Sequence, residues 1–200
     1  NTSLFSNFLE FAAAGQKLIS YAPSMAITSI PEVYRSDLKK ALGRFTRISV
    51  REQQSADMLK KLLNKDVFCA LDPTLLHNEE FYNNLIYRYK SNLPHKYIFV
   101  YCLHYINLNQ LRNVAEKYAK EYGVSIVYFN KYNIRNKLYV HNIFGYGPEA
   151  FIVAIKNAEL VVADSYHAAI FSILYGKQFW IYALGDTQSR WETLYKRLPI

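Results

Sequence analysis

GPEAFIVAIKNAELVVADSYHAAIFSILYGKQF, residues 147–179, holds the reading that decides the fold. The segment PEAFIVAIKNA carries apolar residues at helical spacing. LVVAD is a short β-branched run, YHAAIFSILYG is again helical, and QFWIY, which begins at Gln178, is a second apolar run. Short continuous apolar runs alternating with 3.6-residue periodicity are the signature of a parallel sheet covered by helices. Gly176 stands where a helix is expected to end in a left-handed residue, as does Gly123 further upstream.

The same alternation extends in both directions. Toward the N-terminus it predicts strands at 97–103, 125–129 and 137–144, with a helix over 108–123. Toward the C-terminus it predicts a last helix from Arg190 to Leu198. The first third repeats the scheme, with strands at 18–21, 47–50 and 67–71 and helices over 31–42, 53–63 and 79–89. Pro31 suits a first helical turn because its missing N–H has no partner there. SNLPHK, residues 91–96, reads as a polar bridge, so a boundary is expected near residue 90. The expected architecture is α/β: a first Rossmann-like module over 1–90 and a second over 91–200, both doubly wound.

Composition narrows the function classes. The 200 residues are 51% hydrophobic and 20% charged, which excludes disordered and fibrous chains. The longest apolar runs are interrupted by His104, Asp164 and His167, so no stretch reaches the roughly 18 to 20 residues that span a bilayer. Cys69 and Cys102 lie in apolar runs, as reduced core thiols do, and the simplest setting is the cytoplasm. A net charge of +8 favours anionic partners. The basic residues are scattered over helical stretches, and the 18 Tyr and 12 Phe come without a nucleic-acid motif. Nucleic acid is therefore not an expected partner.

Ligands of such sheets lie beyond the carboxyl ends of the strands. Three strand ends draw attention. Asp164-Ser165-Tyr166-His167 opens a helix, where an anion would meet backbone amides and partial positive charge, with Ala168 and Ala169 small enough to let it approach. The plainer alternative is that Asp164 or Ser165 caps the helix. Arg51, followed by Glu52, ends a strand and could clamp a carboxylate or phosphate, or simply pair with its neighbour. Gly145 to Ala150 matches the dinucleotide-binding spacing G-x-G-x-x-A, but Pro148 deletes an amide from the turn, and a tight turn followed by proline at the first helical position explains the match more simply. The five histidines show no i, i+4 pair and no Cys partner, so no metal site is expected.

In order, LISYAPS (18–24), RISVRE (47–52), LDPTLL (71–76), the 147–179 stretch and SRWETLY (189–195) resemble the polysaccharide pyruvyl transferase family. The resemblance implies a GT-B-like pair of Rossmann modules and transfer of a pyruvyl group from phosphoenolpyruvate to sugar hydroxyls as a ketal, in surface or exopolysaccharide biosynthesis. It also implies a catalytic His167 and substrate contacts from Arg51, Ser165 and Tyr166, with the two modules meeting across a cleft. Glu52, Asp72 and Asp164 are the orienting residues. Some relatives place Arg-Leu where Ser165-Tyr166 stands, so Lys177 or Arg190 is expected to supply the displaced cation. The family's opening strand and glycine-rich turn have no counterpart before Asn1, and the first module therefore reads as truncated. The implied partners are phosphoenolpyruvate as donor, with no other cofactor, and a glycan or lipid-linked saccharide as acceptor. Peripheral association with a polysaccharide assembly machinery is compatible with this reading. A nucleotide-sugar glycosyltransferase and a non-catalytic carbohydrate-binding fragment are the rival readings.

Overall fold

The computed structural model describes residues 8–25, 27–130, 140–143, 147–183 and 188–197. They form two compact units: residues 1–76 with 185–200, and residues 77–184.

In the first unit a parallel three-stranded sheet has the order β1 (Leu18–Ser20), β2 (Phe45–Val50), β3 (Phe68–Cys69). Helices α1 (Glu32–Gly43) and α2 (Gln53–Leu63) link these strands. Leu42 from α1 and Ala56, Leu59, Leu62 and Leu63 from α2 pack with Leu18, Ile48 and Val50 in one core. Strand β2 begins two residues before its expected start because Phe45 is already buried, whereas β3 keeps only two residues of the predicted five. Pro31 sits at the cap, one position before the first turn of α1.

The second unit holds helix α3 (Glu79–Ile86) and a parallel five-stranded sheet of order β6-β5-β4-β7-β8. Its strands are β4 (Tyr97–Cys102), β5 (Ser125–Asn130), β6 (Val140–Ile143), β7 (Leu160–Ala163) and β8 (Gln178–Ile181). Its other helices are α4 (Leu108–Tyr122), α5 (Pro148–Lys156) and α6 (Tyr166–Leu174). The chain runs outward from β4 through β5 to β6, then returns to the far side of β4 for β7 and β8. This is the doubly wound order, with its switch point between β4 and β7. Alternate residues of β4 face opposite layers. Ile98, Val100 and Cys102 pack with Leu111, Ala115 and Ala119 of α4. Tyr97 and Phe99 pack with Tyr82 and Ile86 of α3, Ile152 and Ile155 of α5, and Phe171 of α6. Burial on both faces explains why β4 reads as an unbroken apolar run.

The unit boundary differs from the expected break near residue 90. Helix α3 belongs to the second unit because Tyr82 and Ile86 complete its core and Lys156 Nζ donates to Asn83 Oδ1 at 2.7 Å. The bridge at 91–96 is thus a connection within that unit. The last helix, α7 (Gln188–Arg197), returns to the first unit, where the Gln53 amide donates to Thr193 Oγ1 at 3.2 Å. Gly123 and Gly176 do adopt positive φ, 64° and 60°, at the ends of α4 and α6. Residues 137–139 and 144 of one predicted strand, and Gly145 and Tyr146 of the glycine motif, lie outside the described residues. The described part of that motif is a Gly147 cap with Pro148 in the first turn of α5. Among the described residues no helix is long and apolar enough to cross a membrane.

Leu111 is fully buried between α4 and the sheet. Leu111→Ala is expected to cost about 2–5 kcal/mol in urea-induced unfolding. Burial, reinforced by the Asp164 carboxylate, pushes the Cys102 thiol from 9.0 to about 12. Because the folded-state value is the higher one, this group's stabilising contribution is complete below about pH 9 and is lost as the pH rises toward 12. Cys102→Ser should blunt that part of an alkaline unfolding profile. Alkylation near pH 8 should label Cys69 well before Cys102.

Candidate functional site

Two clusters of polar side chains gather at carboxyl ends of strands, one in each unit.

In the first unit the centre is Glu52, whose side chain is wholly buried immediately after β2. Ser24 Oγ donates to Oε1 at 2.5 Å, and the Met25 amide and Ser55 Oγ donate to Oε2 at 3.3 and 3.4 Å. Arg51 Nε and Arg190 Nε lie 3.8 and 3.5 Å from Oε1. Arg51 Nη1 also pairs with the buried Asp72, which accepts bonds from the amide and hydroxyl of Thr74 at 3.0 and 2.7 Å. A carboxylate is costly to bury alone, and here two guanidinium groups balance two carboxylates. The cluster ties the segments after β1, β2 and β3 to α7. Arg51 and Arg190 converge on the Glu52 carboxylate, and Arg51 also reaches Asp72. A cavity of about 610 Å³ beside the end of β1 is lined mainly by apolar residues such as Ile19, Pro23 and Met25, which suits a multiply charged ligand poorly.

In the second unit the centre is Asp164, directly after β7 at the switch point. Its side chain is 1% exposed. Oδ1 accepts the Leu103 amide at 2.6 Å. Oδ2 accepts the His104 amide at 2.9 Å, Asn107 Nδ2 at 2.9 Å and His104 Nδ1 at 3.1 Å. Asp164 is thus not the cap of α6 but the anchor for the segment after β4. The cap is Ser165, whose Oγ accepts the Ala168 amide at 3.4 Å.

The remaining expected residues divide clearly. Tyr166 and His167 occupy the first turn of α6, Tyr166 half-buried and His167 exposed, with their rings edge to face at 5.9 Å. Ser165 is buried, and its Oγ caps α6. Ala168 and Ala169 are fully buried. Lys177 precedes β8 at the opposite edge of the sheet from His167, because a parallel crossover must carry the chain back to the edge where its strands begin. It does not join the His167 turn. Arg190 lies with Glu52 in the first unit. His104 and Asn107 were not anticipated. The signal available was His104's position just after an apolar strand, but its link to Asp164 spans sixty residues. Among the described residues no three His, Cys, Asp or Glu side chains gather as metal ligands.

Comparison with known proteins gives the fold and the family separately. UDP-N-acetylglucosamine 2-epimerase from Rickettsia bellii superposes with a TM-score of 0.52 at 13% identity, over 74% of this chain and 44% of that one. The UDP-GlcNAc 2-epimerase of Methanocaldococcus jannaschii, solved with UDP-GlcNAc and UDP, gives 0.51 at 14% identity, over 80% and 56%. The chain thus spans about half the length of these structures and shares with them a GT-B-like α/β fold. No curated protein matches it. The sequence model for "Polysaccharide pyruvyl transferase" matches residues 2–186, and the chain belongs to that family.

Proposed function

We propose that the protein transfers a pyruvyl group from phosphoenolpyruvate to a saccharide acceptor, forming a cyclic ketal. The observation that carries this reading is an exposed imidazole, His167, on the first turn of a helix that starts at the sheet's switch point, in a chain of this family. The positive end of the helix dipole suits the donor phosphate there, and Tyr166 lies beside it. The donor is a metabolite of the cytoplasm, where the enzyme would act.

The reaction balances without an external oxidant or reductant. One sugar hydroxyl oxygen bonds to C2 of phosphoenolpyruvate while a proton is delivered to the C3 methylene, which becomes a methyl group. A second hydroxyl oxygen then replaces the phosphate at C2, and inorganic phosphate leaves. His167 is the proton donor to C3, a role commonly worth about 10²- to 10⁴-fold in rate. In the first unit the charge-balanced set of Arg51, Arg190, Glu52 and Asp72 is the scaffold that fixes the strand-end segments.

A nucleotide-sugar reaction is the second reading, favoured by the fold shared with the two epimerases. The donors separate the readings. Ligand at about 100 times its dissociation constant adds roughly 2.7 kcal/mol of stability. Phosphoenolpyruvate is expected to raise the melting temperature and UDP to leave it unchanged; the reverse result would establish the second reading. His167→Ala is expected to lower phosphate release about 10²- to 10⁴-fold. Glu52→Ala, which removes the buried carboxylate that Arg51 and Arg190 share, should destabilise the chain by about 3–5 kcal/mol in urea unfolding.

A further inference from the structure

The contact between Asp164 and His104 resembles no helix cap. An ionised carboxylate can only accept, so a bond between it and His104 Nδ1 at 3.1 Å requires the proton to sit on Nδ1. In the neutral ring Nε2 is then the acceptor. The carboxylate is 1% exposed and further held by two backbone amides and Asn107, whereas the His104 side chain is 52% exposed. The buried partner is fixed and the ring edge reaches solvent, at the switch point where doubly wound sheets bind their ligands. The flanking side chains fit a sugar. Leu103, Tyr105 and Ile106 are 44%, 67% and 76% exposed, and an aromatic ring beside aliphatic groups can cover the C–H face of a pyranose.

We infer that His104, oriented by Asp164, is a second proton-transfer group of this site, the base that takes the proton from the attacking acceptor hydroxyl. The inference rests on the pyruvyl-transfer reading. That reaction needs a base at the nucleophile as well as an acid at the donor methylene, and His167 supplies only the acid. As the sugar oxygen bonds to C2, its proton passes to His104 Nε2; the proton delivered to C3 comes from His167. When the second hydroxyl displaces phosphate, its proton leaves with the phosphate.

The titratable groups that contact His104 or flank it in the chain are Asp164, Tyr101 and Cys102 at the end of β4, and Tyr105; Tyr166 and His167 follow Asp164 in the chain, on the first turn of α6. Burial, with the nearby Asp164 carboxylate, raises both the Tyr101 hydroxyl and the Cys102 thiol, so both stay neutral through neutral pH. Asparagine at position 104 retains a donor where Nδ1 stood and can keep the bond to Asp164, but it has no base.

The test compares wild type, His104→Asn and His104→Ala in phosphate release from phosphoenolpyruvate, with methyl glycosides as acceptors, between pH 5 and 9. Both variants are expected to lose about 10²- to 10⁴-fold in kcat with donor affinity unchanged, and to lose the rise of kcat with pH expected of wild type. An asparagine variant that retains wild-type kcat and pH profile would overturn the inference and leave His104 a loop anchor. Imidazole nitrogen NMR of the free protein at pH 8 supplies a reading independent of donor and acceptor. A proton on Nδ1 supports the pair, and a proton predominantly on Nε2 overturns it. Failure of wild type to bind phosphoenolpyruvate would instead overturn the pyruvyl-transfer reading, with the NMR result still deciding the pair.

Discussion

A buried carboxylate that accepts four hydrogen bonds from one short segment is the constraint on which the site of the second unit depends. Asp164 follows β7, and its partners, Leu103, His104 and Asn107, follow β4, the neighbouring strand across the switch point. Parallel strands leave their ends as separate segments, each with unpaired backbone groups. Here one side chain joins two of them. Removing that carboxylate from water costs several kcal/mol, which is offset only because every partner is a donor in good geometry. The outcome is that the residue preceding the start of α6 and the segment carrying His104 are tied together through one side chain.

The first unit uses the same device with more charge. Glu52 gathers a hydroxyl from the segment after β1, a hydroxyl and an arginine from its own neighbourhood, and a second arginine from α7 at the far end of the chain. Both acidic residues stand within two positions of a strand's carboxyl end, where ligand contacts are expected. Both are instead turned inward, where they tie strand-end segments together.

The two small alanines after His167 illustrate a related point. Next to an anion-binding helix start they read as clearance for a ligand, yet both are fully buried and pack beneath the helix. Helix α6 presses its first turn closely against the sheet, and larger side chains there would lift His167 from the strand ends. Lys177 shows the cost of reasoning from proximity in sequence alone, since the helix between it and His167 carries it to the other edge of the sheet.

The sequence by itself determined the α/β class, the alternation of elements, the two helix-ending glycines, the family and the strand-end turn that bears His167. Each of these is written in local periodicity, in backbone preferences of single residues or in short contiguous motifs. Only the tertiary structure decided that Asp164 anchors and Ser165 caps, that Arg190 returns to Glu52, that α3 joins the second core and that His104 meets Asp164. Those outcomes depend on strand order and on hydrogen bonds between residues tens of positions apart, where nothing in the local pattern records which ends will be neighbours.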